Sequence, residues 1–303
     1  MEKGRIIGLS GGLYKVLMKD NIIVEVKARG KLRNEKRYQV NPKSESKKEV
    51  LVTFKNSPKV GDIAYIDGGF IDHVDTRINE MVRPDISNVD QIMVVFAAME
   101  PTFSFYLLDL FLVNILKQNI KPIIVVSKND KLDEESLLSL KEDLAYYTNL
   151  GYAVYFADSK HKVGLDPILD ELKGKITVLS GQTGAGKSTL INALIPGFKL
   201  QTNEISYALG RGRHTTRETS LYPYLGGFIG DTPGFSKLDL LGLDKDDLND
   251  LFVEFRNYHC KFSDCNHLEN SKGCGIIEAL NEGKILKSRY ESYNKMYKEI
   301  NKK

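Results

Sequence analysis

The sequence predicts a multidomain α/β chain with a β-rich start and a helical end. Three observations predict it. Residues 1–72 carry short strand-like runs separated by turn residues, residues 73–240 alternate strands and helices around a Gly-rich loop, and residues 241–303 place all the cysteines beside a histidine. At 303 residues there is room for two or three domains. With 42% hydrophobic and 27% charged residues the composition is that of a globular protein.

The first region reads as five strands: Arg5–Leu9, Leu13–Met18, Ile22–Ala28, Val50–Phe54 and Asp62–Ile66. Gly11-Gly12, Asp20-Asn21, Asn56-Ser57-Pro58 and Gly68-Gly69 punctuate them. Five short strands suggest a small barrel, and strand count alone fits an OB-fold and an SH3-like barrel nearly equally. Its longest loop is basic. From Lys27 to Lys48 nine Lys and Arg stand against Glu35 and Glu45.

The second region alternates. Val89–Ala97, Ile123–Val126, Ala153–Phe156 and Ile176–Leu179 are predicted strands; Phe103–Gln118, Glu134–Asn149, Asp166–Lys173 and a stretch from Thr189 to Leu194 are predicted helices. Such alternation builds a doubly wound sheet with ligand at the carboxyl ends of its strands. Between the last strand and helix lies Gly181-Gln182-Thr183-Gly184-Ala185-Gly186-Lys187-Ser188, the G-x-x-x-x-G-K-S phosphate loop in its strand-loop-helix context. Backbone N–H groups there close around a polyphosphate, helped by the helix N-terminus that Thr189 continues. Lys187 is the candidate for the β- and γ-phosphates and Ser188 for Mg²⁺.

Three shorter segments complete a nucleotide site. Asp231-Thr232-Pro233-Gly234 is a D-x-x-G, whose Asp would hold Mg²⁺ through water and whose Gly N–H would sense the γ-phosphate. Ser127-Lys128-Asn129-Asp130 ends an apolar strand and resembles the guanine-reading N-K-x-D box of GTPases, with Ser in place of the usual Asn. A carboxylate left unpaired by the wrong base discriminates strongly. Asp158-Ser159-Lys160 looks like a degenerate S-A-K, whose backbone supports the guanine O6. The base boxes precede the phosphate loop, whereas ordinary GTPases have the reverse order. The domain is therefore circularly permuted, a rewiring that surface loops and nearby termini tolerate.

The third region contains Cys260, Cys265, His267 and Cys274, using every cysteine of the chain within fifteen residues. Three thiolates and an imidazole with no open position form a structural tetrahedral zinc site rather than a disulfide framework. The final helical stretch, Lys284–Ile300, spaces Leu286, Tyr290, Tyr293, Tyr297 and Ile300 three or four apart, as a face that docks on the protein's own core would.

These motifs, with Arg83-Pro84-Asp85-Ile86-Ser87-Asn88-Val89-Asp90-Gln91 and Gly210-Arg211-Gly212-Arg213-His214-Thr215-Thr216, make the chain resemble, nearly end to end, the bacterial small-ribosomal-subunit biogenesis GTPases, also called ribosome small-subunit-dependent GTPase A. The resemblance implies an N-terminal OB-like RNA-binding barrel (1–72), a central circularly permuted phosphate-loop GTPase domain (73–240) and a C-terminal helical zinc-binding domain (241–303). It implies GTP hydrolysis with Mg²⁺ and one structural Zn²⁺, coupled to the small ribosomal subunit and its rRNA. Thr216 is the expected switch threonine on Mg²⁺ and γ-phosphate, with Thr215 beside it. In many GTPases a Gln follows D-x-x-G and orients the attacking water; here Phe235 stands there, which makes His214 the candidate for that role. Hydrolysis by the free protein is expected to be slow and stimulated by the subunit. The D-x-x-G leads into the zinc domain within about ten residues, so nucleotide state is expected to move that domain relative to the barrel.

Net charge is +3 overall, so the distribution of charge says more than its sum. The basic run at Lys27–Lys48 and a second from Lys284 to Lys303, seven Lys and Arg against Glu291 and Glu299, are candidate phosphate-backbone contacts. The longest apolar run, Ile92 to Met99, is too short to span a bilayer, and Met1-Glu2-Lys3-Gly4-Arg5 opens no signal peptide. A cytoplasmic monomer without membrane contact is expected, since metal-bound thiols belong to a reducing compartment. Three other readings compete: a nucleotide kinase or ATPase built on the same loop, against which the boxes at 127–130 and 231–234 argue, a permuted GTPase of the large ribosomal subunit, and an RNA-binding assembly factor that uses GTP only as a conformational switch.

Overall fold

The computed structural model of the protein describes residues 1–33, 35–40, 49–54, 57–81, 84–195, 219–231, 240 and 242–301. The chain starts with β1 (Glu2–Ser10), β2 (Leu13–Met18), β3 (Ile23–Ala28), β4 (Glu35–Val40), β5 (Glu49–Phe54), β6 (Ile63–Asp67) and β7 (Phe70–Val74). Five of these close a barrel in the order β1-β2-β3-β7-β6, with β6 returning antiparallel to β1 and β3 running parallel to β7. Ile6, Val16, Val26, Ala64 and Ile71 fill its interior from alternate positions. Gly4 is needed where β1 and β2 approach, since a Cβ there would stand 2.6 Å from Val16 Cγ1 and 2.7 Å from Leu17 O.

The barrel has the expected number of strands but not the expected set. Val50–Phe54 leaves it and pairs with β4 as a separate antiparallel hairpin, so part of the predicted basic loop is strand. The fifth barrel strand is Phe70–Val74, beyond the Gly68-Gly69 turn at which the sequence reading ended. A hydrophobic run is the stronger strand signal, but barrel membership depends on pairing partners, which periodicity does not report.

Beyond the barrel, β8 (Glu80–Met81) and β9 (Ile86–Ser87) form a small ladder. Asp62, fully buried, ties this joint: it accepts from Lys59 N at 2.8 Å, Ser87 Oγ at 2.5 Å and Arg77 Nε and a terminal Arg77 nitrogen at 2.8 Å each.

The central sheet contains β10 (Gln91–Ala97), β11 (Lys121–Ser127), β12 (Ala153–Ala157), β13 (Ile176–Gly181), β14 (Ser220–Tyr224) and β15 (Gly227–Asp231). Its order is β12-β11-β10-β13-β15-β14, parallel except for β14. Every residue of β10 is buried, because helices cover both faces. Ile92, Val94 and Phe96 pack with α1 (Phe105–Leu116) and α2 (Glu134–Asn149); Met93, Val95 and Ala97 pack with α3 (Asp166–Leu172) and α4 (Lys187–Leu194). Ser104 and Asp133 cap α1 and α2 through their side chains. Chain order reverses between β10 and β13, the crevice where open α/β sheets bind ligands. One further pairing, Gly8 with Ser220, joins barrel strand β1 to β14, so barrel and central sheet are continuous.

The C-terminal region adds α5 (Lys245–Leu251), α6 (Gly275–Asn281) and α7 (Lys287–Ile300). Asp244 and Asp247 form a reciprocal capping box on α5. Tyr290, Tyr293 and Met296 of α7 pack with Leu110 and Val113 of α1, Phe252 and Phe255, so this helix docks on the protein's own core. Arg289 corrects the sequence reading. It is counted there among basic residues for a nucleic-acid backbone, yet it is fully buried, paired with Asp109 at 2.6 Å and Glu254 at 2.7 Å. No helix among the described residues is long and apolar enough to cross a membrane.

Candidate active site and metal centre

The phosphate loop leaves β13 at Gly181, whose φ of +123° and the Val95 carbonyl, 2.1 Å from where a Cβ would stand, admit only glycine. Gly184 and Gly186 also have positive φ, and Gly186 opens α4 without any side-chain cap. The first N–H groups of that helix are thus left for a ligand. Thr183, Gly184, Ser188 and Thr189 are exposed along this mouth, while Ala185 is buried beneath it. Lys187 Nζ folds over the loop, donating to Gly181 O at 2.9 Å and Gln182 O at 2.7 Å. Burial lowers its pKa, a penalty that an anion beside the ammonium relieves.

Two side chains from the end of β11 grip this loop. Ser127 Oγ donates to Ala185 O at 2.5 Å and also lies 3.1 Å from Phe96 O. Lys128, at φ +55°, sends Nζ to Gly184 O at 2.8 Å and Glu100 O at 2.5 Å. The hydroxyl that replaces the usual Asn therefore bonds the phosphate loop directly. Next to them Asn129 Oδ1 is buried with no partner, and Asp130 is exposed at the rim. Segments 58 residues apart in sequence make one mouth.

The third box sits alongside. Asp158 Oδ1 accepts from Lys160 N at 2.9 Å and His161 N at 3.0 Å, and Asp158 Oδ2 meets His161 Nδ1 at 2.5 Å. Reciprocal backbone bonds between Asp158 and Val163 close the turn. Ser159 Oγ is buried without a partner and Lys160 is exposed. The structure adds Glu100, which the sequence reading lacks. Its carbonyl receives Lys128 and its carboxylate pairs with Lys131. No motif marks it; only the fold brings the loop after β10 over the phosphate loop.

β15 carries Asp231 at its carboxyl end, one strand from the phosphate loop. His214, Thr215, Thr216, Gly234 and Phe235 lie outside the described residues.

Cys260, Cys265, His267 and Cys274 converge, with ligand atoms all within 4.8 Å of one another. Cys260 Sγ lies 3.4 Å from His267 Nδ1 and 3.7 Å from Cys274 Sγ; Cys274 Sγ lies 3.6 Å from the same nitrogen. The sulfur separation is far beyond a disulfide bond, and three cysteines with one imidazole can hold a metal ion. Burial lowers the His267 pKa, which favours the neutral, ligating imidazole. Burial pushes the Cys274 thiol up to about 12, so its deprotonation requires a cation nearby. Tyr290 OH donates to His267 O at 2.8 Å, and Phe255 meets the His267 ring edge-on at 5.4 Å.

The RsgA GTPase family model matches residues 74–241, more than half of the chain. The chain belongs to the RsgA GTPase family. The "Small ribosomal subunit biogenesis GTPase RsgA" of Onion yellows phytoplasma is 40% identical over 99% of this chain and 98% of its own length. The protein of the same name from Halalkalibacterium halodurans is 39% identical over 99% and 97%. Among solved structures, YjeQ from Thermotoga maritima superposes with a TM-score of 0.81 at 30% identity, covering 100% of this chain and 99% of that one. YloQ, described as a circularly permuted GTPase, superposes at 0.78 and 31% identity, covering 100% and 96%. As a member of the RsgA family the chain is a GTPase, and its fold matches that of the circularly permuted YloQ.

Proposed function

We propose that this GTPase acts in biogenesis of the small ribosomal subunit, binding GTP at the mouth formed by β11, β13 and β15 and hydrolysing it when docked on the subunit. The observation that carries this reading is the pair of side chains, Ser127 and Lys128, that bond carbonyls of the phosphate loop at 2.5 and 2.8 Å. Base reading and phosphate binding thereby share one rigid frame, which suits a guanine nucleotide rather than any polyphosphate. Full-length likeness to proteins named for small-subunit biogenesis supports the partner. So does the barrel, whose class binds oligonucleotides, here with a hairpin grown from a basic segment.

Within this reading Asp130 accepts from guanine N1–H and the 2-amino group, and the 158–160 turn lies beside O6. The amides of residues 182–189 enclose the phosphates. Lys187 leaves the loop carbonyls for the β- and γ-phosphates. Ser188 and, through water, Asp231 would hold Mg²⁺, which when bound neutralises the charge shared by those phosphates. The exposed hydroxyl of Ser188 at the uncapped start of α4 fits that ligand set. Gly234 and Thr216 read the γ-phosphate, and His214 orients water in place of the Gln that Phe235 displaces. Cys260, Cys265, His267 and Cys274 would hold one Zn²⁺, which crosslinks a loop-rich segment lacking a core of its own. The protein works as a cytoplasmic monomer.

The test is the GTPase rate of the purified protein alone, with small subunits and with large subunits. Stimulation by small subunits alone is expected. Equal stimulation by large subunits would overturn the partner, and phosphate release unchanged by either would favour a nucleotide-gated assembly factor.

A further inference from the structure

We propose that Asp62 is a positioning residue for subunit-stimulated hydrolysis. It latches the barrel in one orientation on the strands that carry the phosphate site, so a barrel docked on the subunit presents the nucleotide mouth in one pose. The proposal rests on the small subunit being the stimulating partner. Residues 75–90 connect β7 to β10, and they fold back onto the barrel. Arg77 forks onto the buried Asp62, Nε to Oδ1 and a terminal nitrogen to Oδ2, at 2.8 Å each. Ser87 Oγ joins Oδ1 at 2.5 Å and Lys59 N joins Oδ2 at 2.8 Å. Four donors thus fill both oxygens, and the planar fork fixes direction as well as distance. The other charges of the joint pair around this core: Lys59 Nζ reaches Glu80 at 3.4 Å and Asp85 at 3.1 Å, and Arg77 also meets Glu80 at 2.6 Å. The backbones touch as well. Ser87 N donates to Val60 O at 2.8 Å, and Gly61, at φ +97°, admits Ser87 O where a Cβ would stand 2.0 Å from it.

Just beyond Ser87 the same segment holds the phosphate-site strands. Asp90 Oδ2 accepts from Ile176 N at 2.7 Å, and Asp90 N donates to Ile176 O at 3.1 Å. Gln91 Nε2 donates to Thr177 Oγ1 at 2.9 Å and Glu171 O at 2.7 Å. Ile176 and Thr177 open β13, which ends at the phosphate loop. Between these anchors the Asn88 side chain accepts from Ile78 N at 2.9 Å and donates to Gly61 O at 3.2 Å. Asn79 bonds Val89 N at 2.9 Å and Val89 O at 2.8 Å. Each residue from Ser87 to Gln91 is therefore tied to barrel, connector or sheet, and none is left to absorb the φ/ψ change of a hinge. Arg5 of β1 is a second strap: it donates to Gly61 O at 2.8 Å, and its guanidinium lies 5.5 Å over the Phe228 ring of β15, the strand that ends at Asp231. A stiff connection lets docking at one surface set geometry at another; a slack one loses both effective concentration and orientation. Under this proposal the barrel keeps its place through the nucleotide cycle, in contrast to the displacement expected from sequence.

Asp62→Asn tests this, because the amide keeps the shape but turns a donor toward donors. Ser87→Ala, which removes one bond of the four, carries the test if Asp62→Asn does not fold. GTP turnover is measured on the full chain alone and with saturating small subunits, and hydrogen exchange is followed at the Ser87 amide. Both variants are expected to exchange that amide faster, with the unstimulated rate and the Kd for GDP within about two-fold of the unaltered protein. The stimulated rate should fall about ten-fold in Asp62→Asn and less in Ser87→Ala. Full stimulation alongside faster exchange would overturn the proposal, since the latch would then serve the fold alone. Unchanged exchange at Ser87 would overturn it too, because Asp62 would not be holding the joint. An equal loss of the unstimulated rate would make Asp62 a support of the nucleotide site itself. If small subunits fail to stimulate the unaltered protein, the proposed function falls and the latch with it; if they stimulate it and both variants alike, the latch falls alone.

Discussion

Arg289 and Asp109, 180 residues apart in sequence, meet through a 2.6 Å hydrogen bond inside a core that excludes solvent from both. Glu254 takes the other edge of the guanidinium at 2.7 Å, Phe252 stacks on it at 4.4 Å, and Tyr147 OH donates to the same Asp109 oxygen at 2.8 Å. One side chain of α7 thereby locks the metal-binding region onto α1 and α2. The metal module and central sheet form one packed body. The barrel meets that body at the joint where Gly8 of β1 pairs with Ser220 of β14. β14 is the neighbour of β15, which ends at Asp231.

Removing one partner from this cluster strands a buried charge. Arg289→Met is expected to destabilise the C-terminal unit by about 3–5 kcal/mol. Denaturant titration with hydrogen exchange in α7 measures it. A change below about 1 kcal/mol would mean that aromatic packing around Phe252 and Tyr293 holds the helix without the ions. Asp109→Asn should be costly for the same reason.

The phosphate loop offers a sharper chemical test. Lys187→Ala should lower GTP turnover by about 10²-fold or more, because the charge removed is needed most in the transition state. Ser188→Ala should do the same through loss of the metal. Rates near that of the unaltered protein in either variant would move the site elsewhere.

What was legible in the sequence differs by the range of the interaction. The phosphate loop and box order stand in short contiguous motifs, and the four metal candidates sit within fifteen residues, so spacing alone brought them into view. The contacts of Ser127 and Lys128 with Ala185 and Gly184 are tertiary, and no local pattern announces them. Phe70–Val74 escaped because a five-residue strand holding Asp72 and His73 has a weak hydrophobic signal, whereas Val50–Phe54 has a strong one and lies outside the barrel. In sequence Arg289 stands among tail charges, because its carboxylate partners lie far away, on α1 and just after α5.

Base choice turns on Asp130. Asp130→Asn should weaken GTP binding and shift preference toward xanthosine triphosphate, whose 2-oxo group accepts from an amide and repels a carboxylate. Competition of GTP, XTP and ATP for a fluorescent nucleotide measures it. An unchanged preference would assign base reading to another group.

The metal centre predicts a stoichiometry. The purified protein should carry about one zinc per chain, and replacing Cys260, Cys265, His267 or Cys274 should release it. Because His267 O also receives the Tyr290 hydroxyl, metal loss should loosen α7 while GTP binding largely persists. Metal analysis of folded protein showing no zinc would refute the assignment.

His214 joins the chemistry to the partner. Phe235 leaves no polar side chain directly after D-x-x-G, where many GTPases have the water-orienting Gln, and His214 stands beside the candidate switch threonines in sequence. If it holds the attacking water, His214→Ala should keep GTP affinity within about three-fold and still bind small subunits with a non-hydrolysable analogue. It should lose most of the subunit-stimulated rate, of order 10²-fold. Single-turnover hydrolysis on saturating subunits separates this from a binding defect. A parallel loss of GTP affinity would make His214 a residue that shapes the switch segment. Full stimulated turnover would mean that the water is oriented by a group the subunit supplies.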